Sequence, residues 1–459
     1  MNFVNREAEL EALAAWWDRR DSGLGMVWGR RRVGKTALLQ HFADGRRTVF
    51  HAGSGRPAPE ELAVLSRAAT PLLGDGLRDL RERPFADWPD ALETLASAAR
   101  DEPLLLVLDE FPELIDGAPE LPSLLRATWD RLRSRTKLRI LLCGSAVRTM
   151  EGMQEERAPL YGRLDLSLTL HPFRPHEAAK MLPALSPADR ALVWGIVGGM
   201  PLYLEWWDQR QSVRSNIGRL ACTPGGLLLT EGELVLATEG DTGDLGRQVL
   251  YAIAAGRTKF NEIETTVRAD PGRVLDRLIA LRLVERVVPV TEDPRRTRRR
   301  IYRIADNFLA FWLGVLDRYR AEIERGLGTS ILRVLMAGLD DHLGGPWEEA
   351  FRMHLRRLAE EGALGDDIVA VGPFWTAESD PREIDAVALA GRSRTAVLIG
   401  EAKWAKRVDA GRVRRGLERK AEALPHLAAD PRYAVCARET VERGEDVLAV
   451  TAKDVFGSQ

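Results

Sequence analysis

The sequence predicts an α/β protein whose first domain, residues 1–170, is built on a parallel β-sheet. Residues 24–28 form a short apolar run typical of a strand, and residues 36–42 follow with the apolar spacing of a helix. Residues 104–108 are a further apolar run that ends in two acidic residues, and residues 138–143 are apolar except for Arg139. Continuous apolar strands are typical of parallel sheets that are covered on both faces.

The loop after the first predicted strand matches a phosphate-binding pattern of two glycines, four free positions, then Lys and Thr. Its residues are Gly29, Arg30, Arg31, Arg32, Val33, Gly34, Lys35 and Thr36, and Ala37 continues the helix. The glycines let the backbone curl with its N–H groups inward, and the helix N-terminus adds partial positive charge. Lys35 is predicted to reach the β- and γ-phosphates of ATP, and Thr36 to hold Mg²⁺. The alternative is a glycine-rich surface turn.

Three polar residues that follow predicted strands complete this site. Asp109 is expected to hold Mg²⁺ through water, and Glu110 to orient and deprotonate the attacking water. The alternative for this pair is a strand that merely ends in charges. Ser145 is placed to touch the γ-phosphate or the water, or alternatively to cap a helix.

Arg163 follows Gly162 near the edge of this domain. An arginine in such a place can act as a finger on a phosphate, either in its own site or in that of a neighbouring copy. The alternative for Arg163 is ordinary surface pairing.

The composition is that of a soluble globular protein, with 45% hydrophobic and 29% charged residues over 459 positions. The formal net charge of −2 gives no global basic field, so any contact with nucleic acid must depend on local patches. Cys143, Cys222 and Cys436 have no close spacing and predict neither a disulfide framework nor a zinc site. Without a signal peptide or an apolar run of about 18 residues, the expected location is the cytoplasm, with no membrane partner.

Residues 171–240 are predicted to form a helical lid over the nucleotide. Ser186, Pro187 and Asp189 mark a helix start, with Ser as the N-cap, Pro first in the helix and Asp in its first turn. A small helical domain in this place would change its angle when the γ-phosphate is lost.

Residues 241–320 predict three helices and a hairpin, which is the order of a winged helix-turn-helix. The third helix would read DNA, and the loop of the hairpin would meet phosphates. That loop carries Arg295, Arg296, Arg298, Arg299 and Arg300. The alternatives are a solvated loop and a module that serves as a spacer or a protein contact.

Residues 321–459 predict an α/β domain of the restriction-endonuclease type. A helical connector over residues 320–342 is followed by a helix that starts at residue 345. Two strands joined by a turn then carry a carboxylate and a Glu-x-Lys pattern, which is the order used by such nucleases.

Four residues are predicted to form the site of this domain. Glu401 and Lys403 point to one face because strand side chains alternate, and Asp385 on the paired strand can meet them there. Two carboxylates can bind Mg²⁺, Lys403 can help to activate water, and Glu348 from the helix would complete the site. The alternative is an inherited fold that binds without cutting and whose charges form ordinary salt bridges.

With these residues in place, the chain resembles the archaeal-type ATPase family of the STAND branch of AAA+ proteins. The matching segments are residues 3–7, 29–36, 109–111, 143–145, 162–163 and 198–204. The resemblance implies that Pro201 lies near the adenine and that residues 3–6 flank the base. It also implies a PD-(D/E)xK nuclease-like domain at the C-terminus, although the leading Pro-Asp dipeptide of that pattern is absent.

The sequence therefore predicts a Mg²⁺-dependent ATPase that acts as a nucleotide-driven switch coupled to its C-terminal domains. One alternative is an ATP-gated DNA endonuclease, and another is a regulator that binds nucleotide without catalysing its hydrolysis. The expected partners are ATP and ADP, with DNA, a second copy of the chain and another protein left open.

Overall fold

The computed structural model describes residues 3–19, 21–73, 79–238, 243–376, 382–443 and 446–457. The chain divides into two compact units, Met1–His171 and Pro172–Gln459. Among the described residues, no helix combines the length and the apolar character that are needed to cross a membrane.

The first unit contains a sheet of five parallel strands in the order β2-β3-β4-β1-β5. Its strands are β1 Gly23–Trp28, β2 Thr48–Ala52, β3 Leu104–Asp109, β4 Leu138–Gly144 and β5 Leu166–Thr169. Every residue of β1, β3 and β4 is buried, because these three strands lie inside the sheet and are covered on both faces. The predicted parallel sheet is therefore confirmed.

Helices of the first unit connect these strands. They are α1 Glu7–Trp17, α2 Lys35–Ala43, α3 Ala58–Leu73, α4 Trp88–Ala98, α5 Phe111–Gly117, α6 Leu121–Leu132 and α7 Val147–Gly152. The connection from β1 to α2 is the predicted phosphate loop. Because α2 and α5 begin just after β1 and β3, the N-termini of both helices lie at the carboxyl edge of the sheet.

The second unit begins with a helical segment. Its helices are α8 Pro175–Met181, α9 Pro187–Val197, α10 Pro201–Glu205, α11 Val213–Ala221 and α12 Leu227–Thr238. Ser186 caps α9 as predicted, since its hydroxyl accepts a hydrogen bond from the N–H of Asp189 at 3.2 Å. The predicted boundary between residues 240 and 241 lies outside the described residues.

Three helices and an antiparallel hairpin follow in the predicted order. They are α13 Gly243–Ala254, α14 Phe260–Val267, α15 Gly272–Ala280, β6 Val284–Val287 and β7 Ile301–Ile304. In the loop between the two strands, the side chains of Arg295, Arg296 and Arg298 are exposed.

One predicted helix start in this unit is wrong. The helix expected to begin at residue 345 begins at Leu339, so the glycines and Pro346 lie inside it. Leu339, Leu343 and Trp347 are buried at spacings of four residues, and this continuous apolar stripe outweighs the low helix propensity of glycine.

The helical segment over residues 307–360 connects the hairpin to the last sheet of the chain. It comprises α16 Asn307–Phe311, two π-helical turns at Trp312–Leu316 and Ile323–Leu327, α17 Arg320–Glu322, α18 Gly328–Ala337 and α19 Leu339–Glu360.

A mixed five-stranded sheet in the order β14-β12-β10-β9-β8 closes the second unit. Strands β8, β9 and β10 are antiparallel, whereas β12 and β14 run parallel to β10. The elements are β8 Ile368–Trp375, β9 Glu383–Ala390, β10 Thr395–Lys403, β11 Arg407–Asp409, α20 Ala410–Ala421, β12 Leu427–Ala437, β13 Thr440–Glu442, β14 Leu448–Thr451 and α21 Ala452–Phe456.

Two helices cover the two faces of β10. A methyl group placed on Gly400 would lie 2.8 Å from the ring of Phe351, so α19 packs closely against that face. On the other face, Leu417 of α20 packs in one apolar cluster with Ile399. Glu401 and Lys403 follow Ile399 in β10 by two and four residues. Their side chains therefore lie on the same face as Ile399, which is the face that α20 covers.

Candidate functional site

The backbone of the phosphate loop adopts conformations that require its glycines. Gly29 has a φ of 153°, and a Cβ at that position would lie 2.4 Å from the carbonyl oxygen of Leu170. Gly34, with a φ of 91°, precedes the first residue of α2. Arg32 also has a positive φ, of 68°. Positive φ angles at these positions turn N–H groups of the loop toward one concave side, and such an arrangement can bind an anion.

Lys35 is the first residue of α2 and is buried. Its ammonium group donates to the carbonyl oxygens of Gly29 at 2.9 Å and Arg30 at 3.0 Å. The charge therefore lies across the loop, next to the backbone that would surround a phosphate.

A chain of three side-chain contacts joins α2, β3 and β4 at the carboxyl edge of the sheet. The hydroxyl of Thr36 donates to Asp109 Oδ2 at 2.7 Å, and the N–H of Glu110 donates to Asp109 Oδ1 at 3.0 Å. The hydroxyl of Ser145 then donates to Glu110 Oε2 at 2.9 Å. The structure thus brings the four predicted polar residues into one connected group.

Glu110 is held in an unusual backbone conformation, with a φ of 47° and a ψ of 48°. A non-glycine residue in this left-handed region is uncommon, and such residues cluster at functional sites. The turn lets β3 end at Asp109 while α5 starts immediately at Phe111.

Cys143 lies on β4 behind these residues and is fully buried. Burial and the neighbouring Asp109 carboxylate both raise the pKa of the Cys143 thiol. Cys143 is therefore a neutral core residue.

Arg6, one of the residues 3–6 that the resemblance places beside the base, contacts the phosphate loop, which was not predicted. Its guanidinium donates to the carbonyl oxygens of Val33 at 2.9 Å and His171 at 2.8 Å. Phe3, from the same segment, stacks on His41 of α2 with a centroid distance of 4.3 Å. The N-terminal segment is therefore fixed against the loop and its helix.

In the second unit, Asp385, Glu401 and Lys403 come together where β9 meets β10, as predicted. The N–H of Ala402 donates to Asp385 Oδ2 at 2.8 Å. Lys403 Nζ lies 2.6 Å from Glu401 Oε1. We call Glu348, Asp385, Glu401, Lys403 and Lys420 the C-terminal cluster.

Lys420 of α20 belongs to this cluster but was missed by the sequence analysis. Its ammonium group lies 2.7 Å from Glu401 Oε2. Burial alone would raise the pKa of Glu401, but the hydrogen bonds from Lys403 and Lys420 lower it. Glu401 is therefore held as a carboxylate between two ammonium groups.

Glu348 of α19 faces the same cluster. Burial, followed by the charge of Asp385, raises the pKa of Glu348 to about 7. Burial is also the main cause of the raised pKa of Asp385, to which the Glu401 carboxylate adds. The charge of Asp385 thus acts on Glu348, and that of Glu401 acts on Asp385.

Glu349, the next residue of α19, binds three arginines. It contacts Arg303 of the hairpin at 2.7 Å, and Arg352 and Arg356 of its own helix at 2.9 Å each. Burial alone would raise the pKa of Glu349, but these guanidinium groups lower it well below its usual range. Arg352 also donates to the carbonyl oxygen of Asp385 at 2.7 Å, so this network adjoins the C-terminal cluster.

The two sites differ in how they suit Mg²⁺. Thr36 and Asp109 offer a hydroxyl and a carboxylate oxygen next to the phosphate loop, and Mg²⁺ is usually held by one or two such groups together with phosphates. In the described part of the chain, no three His, Cys, Asp or Glu side chains are arranged to hold a metal ion. The C-terminal cluster therefore does not fit a metal as arranged, since both oxygens of Glu401 face lysines.

Comparison with known proteins finds a similar domain for the segment that carries the phosphate loop. Residues 3–206 match a family model described as an ATPase domain predominantly from Archaea. The matched segment extends beyond the first unit and includes α8, α9 and α10.

Three known proteins are similar to this chain or to a part of it. An uncharacterized protein of Methanocaldococcus jannaschii is 25% identical over 459 residues, which cover 97% of this chain and 98% of the relative. An uncharacterized ATP-binding protein of that organism is 44% identical over 45 residues, which cover 10% of this chain and 76% of the relative. The Walker-type ATPase of Pyrococcus abyssi has a TM-score of 0.53 at 19% identity, over 68% of this chain and 96% of that one.

A second family model, described as archaeal and bacterial proteins of unknown function, matches residues 312–415. This match includes α19, β9, β10 and the start of α20. It supports a C-terminal domain that follows the segment similar to an ATPase domain, while the nuclease-like identity of that C-terminal domain stays a prediction.

Two residues predicted to serve the ATPase domain lie outside the connected group. Arg163 forms a two-pronged ion pair with Asp130, with Nη2 at 2.8 Å from Oδ2 and Nε at 3.0 Å from Oδ1. Its side chain is thus engaged in the surface pairing that the sequence left open, and a role on a phosphate stays a prediction. Pro201 is the first residue of α10, and its place near the adenine also stays a prediction.

Proposed function

We propose that this chain is a Mg²⁺-dependent ATPase that works as a nucleotide-driven switch. The observation that carries the proposal is the connected group of Thr36, Asp109, Glu110 and Ser145 beside the phosphate loop. A hydroxyl and a carboxylate for the cation, and a second carboxylate for water, are the parts that phosphoryl transfer to water requires.

Each residue has a defined part in the proposed mechanism. Lys35 turns from the loop carbonyls to the β- and γ-phosphates. Thr36 and Asp109 would hold Mg²⁺, which would offset phosphate charge. Glu110 accepts the proton of the attacking water. Ser145 keeps the Glu110 carboxylate in a fixed direction, so the base is positioned before the water arrives.

The remaining domains are the proposed output of the switch. Residues 171–240 act as a lid that responds to the γ-phosphate, and residues 241–320 act as a winged helix. Arg273 and Arg277 on α15 are exposed, as are Arg295 and Arg298 in the hairpin loop. Guanidinium groups on the third helix and in the hairpin loop suit contact with the phosphates of DNA.

Replacement of Lys35 by Ala tests the nucleotide-binding step of the switch. We expect ATP to bind about 50-fold more weakly, because charge-assisted hydrogen bonds to the phosphates are lost. Calorimetric titration with ATP and Mg²⁺ measures the affinity. Amide hydrogen exchange in residues 172–459 should change on adding ATP to the wild-type protein and stay constant in Lys35→Ala.

Lys137→Ala is the matched control. Lys137 lies just before β4, and its ammonium group donates to the carbonyl oxygen of Asp101 outside the phosphate loop. This variant should keep wild-type affinity. Equal ATP affinity in both variants would contradict the site. Exchange in residues 172–459 that does not respond to ATP in the wild-type protein would contradict the switch.

A second candidate function, an ATP-gated DNA endonuclease, is favoured by the proximity of Asp385, Glu401 and Lys403. We expect DNA cleavage that depends on a divalent cation and is lost in Lys403→Ala and in Asp385→Ala. Gel assays with supercoiled and linear DNA, ATP, and Mg²⁺ or Mn²⁺ measure it. Lys406→Ala is the control, because Lys406 lies 3.9 Å from Glu439 outside the cluster. No cleavage of any DNA under these conditions would exclude this candidate.

A further inference from the structure

The C-terminal cluster contains one acidic side chain whose two oxygens each face a lysine. Glu401 Oε1 lies 2.6 Å from Lys403 Nζ, and Glu401 Oε2 lies 2.7 Å from Lys420 Nζ. The Glu401 side chain is only 10% exposed, so these ammonium groups replace most of its contact with water.

Lys420 is brought to this place by the way α20 packs. Leu417 and Ala421 are buried on the inner side of α20, in the apolar cluster that includes Ile399 of β10. Lys420 is three residues after Leu417 and therefore lies on a neighbouring position of the same helix side. Its charged end meets Glu401, which is two residues after Ile399 on the same face of β10.

This arrangement has a direct consequence for cation binding. A divalent cation prefers carboxylate oxygens, yet each oxygen of Glu401 already has a positively charged partner. A cation can use this carboxylate only if one lysine moves away. Lys403 belongs to the predicted Glu-x-Lys pattern, whereas Lys420 comes from a separate helix.

We propose that Lys420 is a positioning residue that clamps Glu401 and competes with a divalent cation for its Oε2 oxygen. This inference rests on the proposed nuclease-like site and adds to it a lysine that keeps the Glu401 carboxylate from binding a divalent cation.

Mn²⁺ binding to the full chain in the absence of nucleotide tests the clamp. Lys420→Met keeps the length of the side chain and removes its charge, and we expect it to bind Mn²⁺ about tenfold more tightly than the wild-type protein. Electron paramagnetic resonance of free Mn²⁺ measures the affinity. Lys420→Arg keeps the charge and should keep wild-type affinity.

Two further variants make the result specific. Arg415→Met removes the same charge from the exposed side of α20 and should change Mn²⁺ affinity less than twofold. Adding Glu401→Gln to Lys420→Met should abolish the gain. The clamp is overturned if Lys420→Met binds Mn²⁺ no more tightly than wild type, if Arg415→Met gives an equal gain, or if the gain persists without Glu401. A tenfold gain without DNA cleavage would support the clamp while excluding the endonuclease.

Discussion

Replacing Glu110 by Gln is expected to leave ATP binding intact while ATP hydrolysis falls about a thousandfold. The amide keeps the size of the side chain and can still accept the hydrogen bond from Ser145, so the geometry of the site is preserved. It cannot accept a proton from water, and a positioned general base typically contributes a factor of this order. Release of phosphate in single-turnover reactions, together with ATP titration, separates chemistry from binding.

The control for this variant is Glu113→Gln, one turn further along α5. The Glu113 carboxylate lies beside Gly55, so its replacement removes a charge near the site without removing the proposed base. Hydrolysis should stay within about twofold of wild type in this control. Unchanged hydrolysis in Glu110→Gln would contradict the role of Glu110 and favour the regulator that does not catalyse turnover.

The inner strands of the first unit could be predicted because their signal is local. Strands β1, β3 and β4 are buried on both faces, and each therefore appears in the sequence as a mainly apolar run, with Arg139 as the exception in β4. Strand β5, Leu166–Thr169, was not predicted, since it lies at the edge of the sheet and none of its residues is fully buried. An exposed edge strand of four residues carries little hydrophobic pattern.

The sequence predicted the residues of the connected group beside the phosphate loop, but not the hydrogen bonds that connect them. The spacing of the phosphate loop predicts the roles of Lys35 and Thr36. The contact of Ser145 with Glu110 depends on β3 and β4 being neighbours, which the sequence does not state. The pairing of Arg163 with Asp130, 33 residues away, likewise left two interpretations open until the fold was known.

The residues of the second unit that were not predicted have one property in common. Each contacts a residue on an element that is distant in sequence. Lys420 follows Glu401 by 19 residues, and Arg303 precedes Glu349 by 46. A signal for Lys420 was present, because a lysine three residues after Leu417 lies beside the buried stripe of α20. Glu349 gave no such signal. It is adjacent to Glu348, which was predicted to belong to the site, and nothing in the sequence indicates which residues Glu349 itself binds.

Glu349→Gln is expected to reduce the free energy of unfolding of the second unit by about 3 kcal/mol. The Glu349 side chain is 12% exposed and contacts three guanidinium groups, of which that of Arg352 is only 5% exposed. Removing one charge from a buried network leaves the opposite charges without compensation in a medium that solvates them poorly. Because Arg303 belongs to β7, the hairpin should also lose its attachment to α19.

Urea denaturation measures the loss, and amide exchange of residues 284–304 reports on the hairpin. Glu360→Gln on the same helix is the control, because Glu360 pairs with Arg174 at the surface, where both side chains are about half exposed. A surface ion pair contributes at most about 1 kcal/mol, so this variant should unfold close to the wild-type midpoint. Equal midpoints for the two variants would mean that Glu349 does not stabilise α19 against the hairpin. If Glu349→Gln instead destabilises the unit and speeds exchange in the hairpin, then motion of the proposed winged helix can reach Arg352, and through it Asp385, along a network of charges.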